Sequence, residues 1–590
     1  MRFKKGFLVF SLGLLFINLG CKDNDRAENS GAETIYMNGK IYTAKDKDSF
    51  QQAIAIAHDG TIIKVGNNQE IKKIADSNTK IIDLENKVLM PGLIDSHIHA
   101  LASGVEAVLA TMDRDDTSID VARVEAKLRQ SSLDGTGVAG DVLFLNGLSS
   151  EYWELSDQLS NVFNNNEWKN RPIALVGSDH HTAWANQALL KKAGIDANFI
   201  QQLSPEDQQN IAHDEKFEPT GFVIDSGWDM VSDKIPSVSH ELLYKGSKEA
   251  IQYYNRLGIT AWMDIAANAS PNKGITNIKN TEQTLGMIPM YKELSQKGEL
   301  TARVSGLHVI NSKSTPQVFN IIESINRKYQ NIDNLNLIGV KVFADGVLEF
   351  PAQSAALLGR YSNTNKQGTL LFDPTTFKLV VDEADKRNML VHIHAVGDRA
   401  VQESLNAIEY ARSKRQSNVP HSITHLQLVD PKDYKRFKQN NVIASMQLAW
   451  AYEDSFNKEL VKPYIDAVSF KGMYPAHSLL VNGATIAGAS DAPVSTANPF
   501  VAMATAITRK GIEGDVLNPA EAIDRDSIFK AYTINSAKAL YLDKSIGSLE
   551  PGKKADMILV DRDIFKVSPE QLAETKVVWT IFNGKKVYQQ

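Results

Sequence analysis

The chain has 590 residues, 43% hydrophobic and 23% charged, enough for a large core and several folding units at ~150 residues per domain. Sixty-four Lys and Arg against seventy Asp and Glu leave a formal charge of −6, with no basic block long enough to track a phosphate backbone, which argues against a nucleic-acid partner. The single cysteine, Cys21, permits neither an internal disulfide nor a thiolate metal cage, so a metal would have to be held by His, carboxylate or a modified Lys.

Arg2, Lys4 and Lys5 precede an apolar run from Phe7 to Ile17, shorter than the ~20 residues that span a bilayer, so residues 1–20 read as a signal peptide. The run ends in Asn18-Leu19-Gly20-Cys21, which resembles a bacterial lipoprotein lipobox, with Asn18 departing from the usual aliphatic residue. That resemblance implies an acylated Cys21 and a membrane anchor in the bacterial cell envelope, on the periplasmic or surface side. The alternative is a plain secretory signal with an incidental Cys. Residues 21–32 are polar and suit a tether.

From Glu33 to Val88 short alternating runs are punctuated by Asn38-Gly39 and Asp59-Gly60, which signal hairpins. Asn583-Gly584 repeats the style near the C-terminus, so residues 33–89 and 546–590 are predicted to form a small β-sandwich domain built from both ends of the chain. Between them, over 90–545, apolar strands alternate with amphipathic helical segments, the pattern of an α/β fold. Eight strands are predicted: Val88 to Ser96, Pro172 to Gly177, Thr260 to Ile265, Leu337 to Phe343, Leu390 to Ile393, Ser422 to Thr424, Val442 to Met446 and Thr485 to Gly488. That number favours a closed (β/α)8 TIM-like barrel, with long insertions at about 100–170 and 187–250 as lids or pocket walls.

His97 and His99 alternate at the end of the first strand, so a period of two puts both imidazoles on one face, where they could share a metal or make ordinary polar contacts. Lys341 lies inside a strand that should be buried, where an unpaired ammonium costs several kcal/mol. Two readings stand: a neutral amine that adds carbon dioxide to form a metal-bridging carbamate, or a Lys paired with a carboxylate such as Asp345. His392 and His394 alternate on a further strand, His425 ends the next, and Asp491 follows the last. Five of the thirteen histidines thus sit where barrel strands deliver side chains to the C-terminal mouth.

Pro91-Gly92-Leu93-Ile94-Asp95-Ser96-His97-Ile98-His99, His394-Ala395-Val396-Gly397-Asp398-Arg399-Ala400, Ser490-Asp491-Ala492-Pro493 and the Gly547 to Asp556 segment resemble the amidohydrolase superfamily. The branch is amidohydrolase family 3, which includes YtcJ-like proteins and N-substituted formamide deformylases. The resemblance covers about Glu33 to Tyr588. It implies metal ligation by His97, His99, His394 and His425, with Asp491 as ligand and proton shuttle, and matches Lys341 to a bridging carboxylated lysine. His181, in His181-Thr182-Ala183-Trp184-Ala185-Asn186, matches a segment placed near substrate; it is a candidate to steady an oxyanion, the alternative being a structural role. Two departures stand out: Gln447-Leu448-Ala449-Trp450 replaces a Gln-Pro followed by a His, making Trp450 an apolar wall, and Thr424 replaces a common Glu. His392 and His180 are expected to support a ligand or to pack.

A divalent metal, zinc or similar, with one or two ions per site, would lower the pKa of water toward ~7 and polarise a carbonyl. The favoured function is hydrolysis of a carbon–nitrogen bond in a small-molecule amide or formamide by activated hydroxide. An esterase, lactonase or phosphoesterase on the same centre, or a non-catalytic ligand-binding lipoprotein, are the alternatives. Oligomeric state leaves no mark on the sequence.

Overall fold

A computed structural model describes residues 31–46, 50–112, 118–276, 278–511 and 514–590; the expected signal segment, Cys21 and the tether up to residue 30 lie outside them. Eight strands pair in parallel, each with the next along the chain: β1 (Leu93–Ile98), β2 (Ile259–Asp264), β3 (Arg303–Val309), β4 (Leu335–Phe343), β5 (Leu390–Ala395), β6 (Ser422–His425), β7 (Ile443–Met446) and β8 (Thr485–Gly488). Parallel neighbours need crossovers, which helices such as Pro374–Lys386 and Asp398–Lys414 supply. Their apolar stripes, Phe377, Val380, Val381 and Ala384 in the first and Val401, Leu405 and Ile408 in the second, are buried. The sheet curls until β8 returns to β1: Ser96 Oγ donates to the Gly488 carbonyl at 2.9 Å and Asp491 N to the His97 carbonyl at 2.8 Å. The result is a nearly closed, TIM-like parallel barrel.

One predicted barrel strand is misplaced. Ile173–Gly177 belongs to a separate six-stranded sheet, between Val142–Leu148 and Thr182–Ala185, and the barrel takes Arg303–Val309 instead. All five residues of Ile173–Gly177 are buried, so its apolar run imitates a barrel strand. In β3 the run is interrupted by Ser305, Gly306 and His308; Ser305 Oγ donates to the Leu540 carbonyl and His308 Nε2 meets Asn326 Oδ1. A single long connection, residues 99–258, therefore links β1 to β2 and carries the extra sheet.

The predicted strand Val88 to Ser96 is two strands. Val88–Pro91 joins a sheet with Met557–Val560 and Lys40–Tyr42, and Leu93–Ile98 enters the barrel. Gly92 marks the transition, where a Cβ would fall 2.1 Å from Thr260 Oγ1. Both chain ends thus share one six-stranded sheet, which packs on a four-stranded sheet from the N-terminal part through Tyr36, Ile54, Leu89, Met557 and Ile581. Asp59-Gly60 and Asn583-Gly584 turn antiparallel pairs as expected. Asn38-Gly39 does not: Thr34–Met37 and Lys40–Tyr42 lie in different sheets. Among the described residues, no helix is long and apolar enough to cross a membrane.

Candidate metal centre

The C-terminal ends of the barrel strands converge on a cavity of about 520 Å3 lined by His97, His99, His181, Lys341, His394, His425 and Asp491, all seven residues singled out from the sequence. A neighbouring cavity of about 410 Å3 reaches Asp225 but touches no histidine. Ligand-type atoms of His97, His425 and Asp491 lie within 4.8 Å of one another. Asp491 Oδ1 is 3.1 Å from His97 Nε2 and 3.4 Å from His99 Nε2, and Asp491 Oδ2 is 3.9 Å from His425 Nδ1. The His394 ring packs against His425 with centroids 4.4 Å apart, outside that tightest cluster.

Local backbone serves this convergence. Asp491 and His425 occupy left-handed φ of 59° and 73°, conformations that cost a non-glycine residue about 1 kcal/mol or more each. The Asp491 N to His97 carbonyl bond holds one of them, and the Leu426 N to Ala395 carbonyl bond at 3.1 Å holds the turn beside the other.

The imidazoles are oriented through their second nitrogens. His394 Nε2 donates to the Gly346 carbonyl at 3.0 Å, which leaves Nδ1 as its lone-pair atom. His97 Nδ1 lies 2.7 Å from His392 Nε2, and His392 Nδ1 lies 2.6 Å from Ser422 Oγ. A proton on His392 Nδ1, given to Ser422, lets His392 Nε2 accept from His97 Nδ1 and frees the lone pair of His97 Nε2 for a cation. His392 thus contacts His97 directly. His180 packs over His99 at 6.3 Å, with Nε2 3.4 Å from Glu106 Oε2.

Burial pushes His97 down to about 3, with the Lys341 amine adding to the effect, and holds His394 and His425 well below the ordinary range. Neutral imidazole is the metal-binding form. Burial opposes charge on Asp491 as well, but the surrounding histidines keep its carboxyl well below the usual carboxylate range. Asp491 Oδ1, His425 Nδ1 and Lys341 Nζ are all buried without a hydrogen-bond partner among the described residues. An orphaned buried acceptor costs about 1–3 kcal/mol, and a cation among these acceptors would satisfy them. The donor set therefore fits a divalent ion.

Lys341 is not paired with Asp345. The Asp345 carboxylate accepts from the amides of Ala356, Val396 and Gly397, and Lys341 Nζ sits 5.0 Å from the Phe343 ring centre. Burial lowers the amine to about 7, only partly offset by Asp491.

His181 comes from the inserted sheet rather than the barrel. Its ring lies 5.3 Å from His394, and its Nδ1 meets Asp225 Oδ1 at 2.6 Å. Asp225 N in turn donates to the His181 carbonyl at 2.8 Å. Burial opposes the imidazolium, but Asp225, with Asp179 and Glu349, pushes it up to about 9. Trp450 lies parallel to the His425 ring at 5.7 Å and lines the cavity. Sequence reasoning missed Asp225 and Glu349, a buried carboxyl on the loop after β4. For Asp225 a signal existed, an acid closing the apolar run Phe222-Val223-Ile224; for Glu349 there was none.

The barrel and its buried cluster of histidines and one acid define a metal-dependent hydrolase. The chain belongs to the Amidohydrolase family, whose model matches residues 80–588. It is 26% identical over 573 residues to the putative amidohydrolase YtcJ of Bacillus subtilis, covering 95% of this chain and 100% of that protein. It is 23% identical over 583 residues to the N-substituted formamide deformylase of Arthrobacter pascens, covering 95% and 98%. The fold is similar to the crystal structure of an uncharacterized metal-dependent hydrolase from Pyrococcus horikoshii, with a TM-score of 0.69, 23% identity, and coverage of 91% of this chain and 99% of that one. As a family member the chain is an amidohydrolase.

Proposed function

We propose that the chain cleaves the amide or formamide bond of a small molecule at the cluster of His97, His99, His394, His425 and Asp491. The observation that carries this reading is the set of orphaned donor atoms, Asp491 Oδ1 and His425 Nδ1, beside a cavity roomy enough for a small substrate. Nitrogen and carboxylate donors without thiolate suit zinc. A divalent ion held there supplies a Lewis acid and a water acidified toward ~7. Lys341, as a neutral amine, is suited to carboxylation and to bridging a second ion.

A carboxylate oxygen of Asp491 takes the proton of the attacking water and returns it to the departing nitrogen, which leaves poorly unprotonated. His181, with Nδ1 committed to Asp225, offers Nε2–H to the developing oxyanion. Trp450 covers His425 and limits water on that side. Residues 1–20 and Cys21 point to a lipid anchor in the bacterial envelope, and Cys21→Ser is expected to release the protein from membranes; persistent attachment would refute the anchor.

The test is turnover by metal-loaded protein on matched amides, formamides, esters and phosphoesters. Amide cleavage that nearly vanishes in Asp491→Asn while metal is retained supports the reading. Cleavage of esters alone, or binding without turnover at full metal occupancy, contradicts it.

A further inference from the structure

The cavity is unevenly charged. Among the described residues it is lined, besides Asp491, by four carboxyls, Glu151, Asp179, Glu349 and Asp454, and by one Lys or Arg, Lys341 on the barrel strand β4. A carboxylate or phosphate on a substrate would find no guanidinium among the described lining residues.

Three of the four acids are already engaged. Asp179 accepts from the amides of His181 and Thr182 and from Thr182 Oγ1, Asp454 accepts from Asn457 N at 2.7 Å, and Glu151 accepts from Ser149 Oγ at 2.7 Å. The positive charge of His181 is matched by Asp225 at 2.6 Å. Glu349 is the exception. It is 4% exposed, lines the cavity, and its carboxyl has no hydrogen-bond or ion-pair partner in another residue among those described.

Its backbone is nevertheless fixed. Phe350 N donates to the Leu460 carbonyl at 2.9 Å and Gln353 N to the Glu349 carbonyl at 2.8 Å, so the acid is held in place before any ligand arrives. Burial, with Asp179 nearby, pushes the carboxyl up to about 8 against the opposing pull of the His181 charge, the mark of a buried acid with too little counter-charge. Tyr474, Trp450, Tyr452 and Phe456 line the same cavity, and aromatic faces attract organic cations.

We propose that the substrate carries a basic amine on the part of the molecule remote from the scissile bond, and that Glu349 receives that ammonium. This rests on the hydrolytic reading above and narrows it: the cavity selects amides of cationic molecules and disfavours N-acyl amino acids.

The experiment uses metal-loaded protein and three length-matched probes, the mono-N-formyl derivatives of 1,6-diaminohexane, hexylamine and 6-aminohexanoate. In the wild type, kcat/KM is expected to fall in that order, with the cationic probe favoured over the neutral one by about tenfold or more. Glu349→Gln is expected to reduce the cationic-to-neutral ratio by about tenfold, a ratio that general damage to the enzyme leaves unmoved. Turnover in which the neutral or anionic probe equals the cationic one, or a ratio unchanged in Glu349→Gln, overturns the proposal and leaves the hydrolase reading standing. With no turnover of any probe, calorimetric affinities for the same three compounds decide: the same order, lost in Glu349→Gln, supports the ammonium site while the hydrolase reading fails, and equal affinities overturn the site.

Discussion

His181 and Asp225 meet at 2.6 Å just beyond the paired ends of the antiparallel strands Thr182–Ala185 and Pro219–Ile224 of the inserted sheet, so a residue beside the metal-ligand candidates is oriented by a carboxylate that the barrel does not supply. Asp225 itself sits at a left-handed φ of 43°, and its amide is tied to the His181 carbonyl. A carboxylate bound to Nδ1 fixes the tautomer and aims Nε2. Asp225→Asn is expected to lower kcat by on the order of 100-fold with a much smaller change in KM and with metal content retained. Steady-state kinetics and metal analysis check this; equal losses in folded fraction and activity would reduce the pair to a structural contact.

Lys341 stores free energy that its environment does not return. Its Nζ is buried without a hydrogen-bond partner among the described residues, and Met fills nearly the same volume without an amine. In chelator-treated protein, Lys341→Met is expected to raise stability by about 1 kcal/mol or more and, after metal is restored, to lose most activity. Thermal or denaturant unfolding together with turnover measures both. A destabilised or fully active variant contradicts the account.

The candidate metal ligands were legible because strand periodicity is local: His97 and His99, or His392 and His394, announce a shared face whatever surrounds them. Their convergence also required knowing which strands close the barrel, and there local pattern misled. Ile173–Gly177 looks like a barrel strand because burial on both faces removes alternation in any sheet. Arg303–Val309 does not, because Ser305 and His308 find their side-chain partners outside the strand, at Leu540 and Asn326. The same limit hid Asp225 and Glu349, whose meaning comes from residues 44 positions away or from a loop with no periodic signal.

The opposite end of the barrel holds a buried ionic network that makes a pH prediction. Asp385 accepts from Arg415, Ser417 and His421, and His421 Nδ1 accepts from Val391 N where β5 begins. Burial works against the Asp385 charge, but His421, Ser417 and Arg412 outweigh it and hold the carboxyl well below the usual range. A depressed folded pKa contributes stability that is complete above the unfolded value of about 3.9 and fades as pH falls below it. Asp385→Asn is therefore expected to cost about 3 kcal/mol near pH 7, and the gap from wild type to narrow below about pH 4. Melting curves across that range test the sign; a gap that widens in acid would reverse it.

The central claim is that His97, His425 and Asp491 together hold a divalent ion. Elemental analysis of chelator-stripped, zinc-reloaded protein tests it most directly, comparing wild type with the double variant His97→Ala/His425→Ala, each verified as folded by circular dichroism. The expected result is about one tightly held ion or more per chain in the wild type and loss of at least that one in the folded double variant, together with its activity. A folded double variant that keeps the wild-type metal content would place the ion elsewhere and contradict the account.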